Sequence, residues 1–307
     1  MTPRRTAYLM MLLVSIIWGV AGPVIKYTLD YFPPLVFLSY RFAISTIIAL
    51  LYFTWTKERV PTSPKKFGGI LLYSLLAVPV GLGFIFFGFE KTSSIAGSVL
   101  SALGPLATVA GGALILRERI THSEKWGMTI ALLGTLLVIF APVLGNGADE
   151  LELFGRVEGN IILVIGQIID VSSALIVKLL LRSRVSATVL THTSFIIGFL
   201  VMTPLAFVIN KTAFSAILTA PLSAHLGVWF MAIVSGTIAY TLRNKAVKTI
   251  EVSEAALFSY LYPLWAAPLS LFWLKERITP VFLAGSAIIA SGVILAELKR
   301  SRRQKHR

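Results

Sequence analysis

Three polar side chains sit where an apolar chain tolerates them least: Arg41, Gln167 and Asp170. Arg41 lies about seven residues, or about 10 Å at 1.5 Å per residue, inside the run PLVFLSYRFAISTIIALLYF. A charge at that depth asks for a reason. A guanidinium there attracts a substrate carboxylate or pairs with a resident one; the alternative is that it snorkels, or bonds carbonyls freed at a neighbouring kink, and so holds the packing. Asp170 is the one acid at mid-span depth, and Gln167, three residues earlier, shares its helical face. A carboxylate shielded from water suits a proton-coupling group; a structural hydrogen bond or a salt bridge with Arg41 is the alternative. Lys178 and Arg243 read as lying toward inner helix ends, which leaves Arg41 as the clearly deep cation and favours neutral or zwitterionic solutes over sugar nucleotides.

Pro79, Pro105, Pro263 and Pro268 each remove a backbone donor and bend a helix. In lipid, the released backbone groups must find partners or line a wet cavity. Ser101 and Ser259 each stand four residues before one of these prolines. Trp18, Tyr240, Tyr260, Tyr262 and Trp265 lie at similar depths and could wall a cavity for a zwitterionic or aromatic metabolite. These five, with Arg41, Ser101, Gln167, Asp170 and Ser259, are the candidate binding residues. Glu118-Arg119 and Glu276-Arg277 fall at helix ends, where caps or gate contacts explain them better than substrate binding. Other chemistries find little support. Cysteine is absent, and none of the four histidines has company spaced for a metal or a nucleophile–base pair, so no cofactor is expected and a membrane enzyme is a weak alternative. A channel is the other alternative, without a filter-like motif behind it.

The elements that must position these groups follow from composition. Of 307 residues, 56% are hydrophobic and 14% charged, with mean hydropathy +0.82. That excludes a soluble, disordered or fibrous chain and makes lipid the natural solvent. The N-terminal apolar run is too long for a signal peptide and reads as a first membrane helix. An all-α integral membrane protein of ten transmembrane helices is expected, near 7–27, 34–55, 67–89, 92–116, 124–142, 159–181, 186–209, 225–246, 253–274 and 280–297. With both termini cytoplasmic, 21 of the 28 Lys and Arg residues face inward, 6 face outward and Arg41 lies within a span. This asymmetry places a multi-pass protein in the cell membrane and accounts for the net charge of +14 without nucleic acid. The small-molecule substrate and the bilayer are the expected partners, for a monomer or weak homo-oligomer.

An internal repeat organises the chain. LRERIT at Leu116–Thr121 recurs as LKERIT at Leu274–Thr279, an offset of 158 that also relates Ser101 to Ser259, Pro105 to Pro263, Gly127 to Gly285 and Gly134 to Gly292. A looser offset of 152 sets Trp18 opposite Asp170 and Lys26 opposite Lys178. Halves at 1–145 and 159–298, a linker at 146–158 and a basic tail at 299–307 are expected. A unit crossing five times ends on the opposite side, so its copy enters inverted. Inverted repeats around a central cavity suit alternating access.

Ser15-Ile-Ile-Trp18-Gly19 with Lys26, Tyr40-Arg41-Phe42-Ala43, and the mid-helix Pro, Leu-x-Glu-Arg-Ile-Thr and Gly-x6-Gly series of each half resemble the EamA family of the drug/metabolite transporter superfamily. The resemblance covers nearly the whole chain and implies ten helices in two inverted halves, a cavity walled by both, and export or exchange of small metabolites, often amino acids. The second half departs from the pattern, with Asp170-Val171 and His192-Thr193 near the places of the Trp-Gly and Arg elements. The expected function is thus secondary transport, by an exporter or exchanger, of neutral or zwitterionic metabolites such as amino acids.

Overall fold

Apolar runs bounded by Pro, Ser and basic residues fold as rods. The computed structural model describes residues 3–116, 122–144 and 150–304, and every regular element among them is helical. In order these are α1 (Pro3–Leu29), α2 (Pro34–Thr56), α3 (Pro64–Lys91), α4 (94–116), α5 (His122–Leu144), α6 (Glu150–Arg182), α7 (Ala187–Ile209), α8 (Leu222–Thr249), α9 (252–273) and α10 (Pro280–Gln304), with short turns at 211–219 before α8. Local chemistry sets the ends. Pro34 and Pro64 open α2 and α3 where no amide is needed. The Ser93 side chain accepts from the Ala96 amide and starts α4. Lys57 ends α2 in the left-handed region at φ 54°.

Among the described residues, seven helices are long and apolar enough to cross a membrane, and Ser94–Thr108, Lys125–Ala141 and Pro280–Leu295 are shorter apolar helices. The helix expected from residue 159 begins at Glu150, inside the expected linker. Glu118 and Arg119 lie outside the described residues.

Four rods are not regular. A π-helical stretch runs Leu76–Leu82 in α3 and contains Pro79; another runs Phe230–Ile238 in α8 without a proline. In α4 a 3-10 turn at Ser101–Leu103 precedes Pro105, and in α9 one at Leu257–Leu261 precedes Pro263. Pro268 stands directly before a third π-helical stretch, Leu269–Trp273. The first two of these wide turns close on glycine. A Cβ at Gly81 would lie 2.9 Å from the Leu76 carbonyl, and one at Gly236 would lie 2.9 Å from the Met231 carbonyl, in each case five residues back.

Matched positions also meet in space. Where α5 crosses α10, a Cβ at Gly134 would stand 2.7 Å from the Ile289 amide and 2.8 Å from the Gly285 carbonyl. One at Gly292 would stand 2.6 Å from the Gly127 carbonyl. Gly127 therefore faces Gly292 while Gly134 faces Gly285, an antiparallel contact of the small-residue kind. Elsewhere α2 packs on α7, α3 on α6, and α1 on α8 and α9.

Candidate functional site

Between α1, α3, α4, α6, α8 and α9 lies a cavity of about 150 Å³, joined by Arg41 from α2. The irregular turns shape it. At the α4 turn, Ser101 donates to the Gly97 carbonyl at 2.9 Å and accepts from Gln167 Nε2 at 2.9 Å. At the α9 turn, Ser259 donates to the Ala256 carbonyl at 2.8 Å and faces Gly104, where a Cβ would be 3.7 Å from its Oγ. In α8 the π stretch exposes carbonyls: Trp18 Nε1 donates to Ser235 O at 3.0 Å, and Ser45 Oγ to Ala232 O at 3.2 Å.

Two cations and one acid define the electrostatics. Asp170 Oδ2 lies 3.5 Å from Arg243 Nη2, with side-chain exposures of 28% and 10%. The Arg243 guanidinium also stands 5.8 Å from the Trp18 ring, itself edge-on to Tyr240. Arg41 is 1% exposed, between the rings of Phe42 and Phe86 at 5.7 and 5.5 Å. The salt bridge contemplated between Asp170 and Arg41 is therefore replaced by one to Arg243, and Arg243 is a deep group rather than an inner-end one. The expected span of 225–246 put Arg243 three residues from its end; the structure carries α8 on to Thr249, six residues beyond Arg243.

Of the other candidate residues, Trp18, Ser101, Gln167, Tyr240, Ser259 and Tyr262 line this cavity. Tyr260 packs beside the core, outside that lining. Trp265 packs on the Cα of Gly19, where a Cβ would be 2.6 Å from its own, and donates from Nε1 to Ser15 Oγ at 3.3 Å. Thr108 and Ser98, which composition does not single out, add hydroxyls to the wall.

Both ends of the cavity are tied. At one, Glu276 accepts from the amides of Ser94 and Ile95 at 2.7 and 3.0 Å and from Ser94 Oγ at 2.9 Å, while Ser94 and Ser270 share a bond of 2.7 Å. Glu276 thus caps α4 from beyond α9, the cap role that its helix-end place predicts. Phe89, packed over Gly22 and Gly97, covers the same end. At the other, Arg4 and Tyr8 reach Glu254 at 2.9 and 2.6 Å. Lys26 donates to the last carbonyls of α3, Phe89 and Glu90, at 3.1 Å each, and Lys178 to those closing α8, Val247 and Ile250, at 2.9 and 2.7 Å.

Comparison with known proteins decides the family. The model of the EamA-like transporter family matches residues 5–140 and again 157–298. The chain belongs to the EamA family. The chain is 23% identical to the uncharacterized transporter YyaM of Bacillus subtilis (strain 168), covering 94% of this chain and 92% of that one. It is 26% identical to an uncharacterized transporter of Archaeoglobus fulgidus, over 95% and 99% of the two chains. It is 22% identical to the "Probable amino-acid metabolite efflux pump" of Salmonella typhimurium (strain LT2), over 92% of each. A solved crystal structure shares the fold at TM-score 0.67 and 17% identity, covering 97% of this EamA chain and 98% of that one.

Proposed function

We propose that this EamA protein is a secondary transporter, an exporter or exchanger of small metabolites such as amino acids, working by alternating access. The observation that carries the reading is the cavity itself: its wall is built from the two turns that the internal repeat relates, at Ser101 and Ser259, brought together from opposite halves. The antiparallel meeting of Gly127 and Gly134 with Gly292 and Gly285 supports ten membrane helices in two inverted five-helix repeats, near 1–145 and 159–298. With such halves, exchanging their two conformations opens a midplane site to each face in turn. The Lys and Arg excess supports cytoplasmic termini, since moving Arg243 from the inner count into the cavity leaves the bias large. The efflux pump among the relatives supports export and an amino-acid-like cargo.

Trp18, Arg41, Ser101, Gln167, Asp170, Tyr240, Ser259 and Tyr262 form the solute-facing surface in this reading, and Arg243 joins them. That second deep cation is paired with Asp170, so the balance that favoured neutral or zwitterionic solutes over sugar nucleotides is not altered by it. The test is counterflow into proteoliposomes against a panel of amino acids, organic acids, amines and nucleobases, with and without a pH gradient. Saturable counterflow is the expected result; ohmic current through the protein, or no solute movement, would sink the carrier reading.

A further inference from the structure

The described ionisable groups lining the cavity do not balance: Arg41 and Arg243 face a single carboxylate, Asp170, and that acid is engaged by Arg243 at 3.5 Å. Arg41 holds the surplus charge. It is 1% exposed, and its Nε and Nη1 have no hydrogen-bond partner among the described residues. The faces of Phe42 and Phe86 soften the burial of the cation without satisfying its donors.

A buried guanidinium with empty donors destabilises the protein that carries it. A group retained at that cost in the wall of a cavity is best explained by an anion that completes it. The fork of donors on a guanidinium matches the two oxygens of a carboxylate. A phosphate dianion would exceed the single surplus charge, and an amine would add to it.

We propose that the transported solute carries one carboxylate, and that Arg41 is its anchor while the Asp170–Arg243 pair stays closed. The inference rests on the transporter reading and narrows it from small metabolites to carboxylates. Trp18, Phe86 and Tyr240 then receive the apolar remainder. An ammonium group is not required for recognition, so an amino acid and its deaminated acid both bind.

The experiment has two arms on the full chain. In proteoliposomes, counterflow is measured with phenylalanine, 3-phenylpropanoate and 2-phenylethylamine, and with leucine, 4-methylpentanoate and 3-methylbutylamine. The acids and amino acids move and the amines do not; Arg41→Gln lowers carboxylate flux at least tenfold and Arg41→Lys recovers part of it. Amines moving as fast as the acids, or flux untouched by Arg41→Gln, would overturn the anchor while leaving the carrier intact. Absence of counterflow for every solute would instead overturn the carrier. The second arm needs no solute: Arg41→Met raises the Tm of the empty protein in detergent if Arg41 is held for a ligand, and lowers it if Arg41 serves packing.

Discussion

Glu276 offers the sharpest test of how the cavity opens. Its carboxylate accepts three hydrogen bonds of 2.7, 2.9 and 3.0 Å from Ser94 and Ile95 at the start of α4. Hydrogen bonds to a charged acceptor are worth about 1.5–3 kcal/mol each, against about 0.5–1.5 kcal/mol between neutral groups. Glu276→Gln keeps the shape, turns one acceptor oxygen into a donor that faces an amide, and removes the charge from the rest. Two of the three bonds go to the amides of α4, so an isosteric change that spoils one and weakens the other costs about 2 kcal/mol. If the contact exists only while this end of the cavity is closed, that loss raises the open-to-closed ratio about 30-fold. The protein contains no cysteine, so a single Ser98→Cys in the cavity wall is a background-free reporter. A membrane-impermeant maleimide, added from the side of this end, is expected to label that cysteine about 30-fold faster in the Glu276→Gln background. A lower Tm with an unchanged labelling rate would show that Glu276 is a static cap and that the ends do not open by releasing it.

Three further outcomes follow from the packing. Gly134→Ala puts a methyl 2.7 Å from the Ile289 amide and is expected to lower stability by about 1–3 kcal/mol, read as Tm in detergent, whereas Gly68→Ala, with nothing within 4 Å, is neutral or slightly stabilising. Asp170→Asn leaves Arg243 without its 3.5 Å partner; pH-gradient-driven flux is expected to vanish while solute exchange persists, and unchanged gradient dependence in the transport assay would remove Asp170 from proton coupling. Lys26→Met and Lys178→Met each strip the last carbonyls of α3 or α8 of their donor, and because the two caps share no partners their Tm losses should add in the double variant.

Much of the fold was legible from local properties. Hydropathy is written residue by residue, so the long apolar helices stood out, and Pro33-Pro34 marked a helix start that the structure keeps, whereas the helix expected from residue 67 opens at Pro64. A repeat at fixed register was equally visible, because Ser101, Pro105, Gly127 and Gly134 have counterparts at one offset. The irregular turns divided: those at Pro79, Pro105, Pro263 and Pro268 announced themselves through a missing donor, whereas Phe230–Ile238 has no proline and left no such mark.

What only the tertiary structure decided was who faces whom. Arg41, Asp170 and Arg243 were all in plain view as charges, yet which acid pairs with which arginine depends on the placement of α2, α6 and α8 around one space, and no local pattern encodes that distance. Glu276 closing the start of α4, and Trp18 accepting the duty of satisfying the widened turn of α8 across 217 residues, have the same origin. Side-chain polarity and helical period are properties of a segment; an electrostatic partner is a property of the space between segments, and it exists only once the helices have packed.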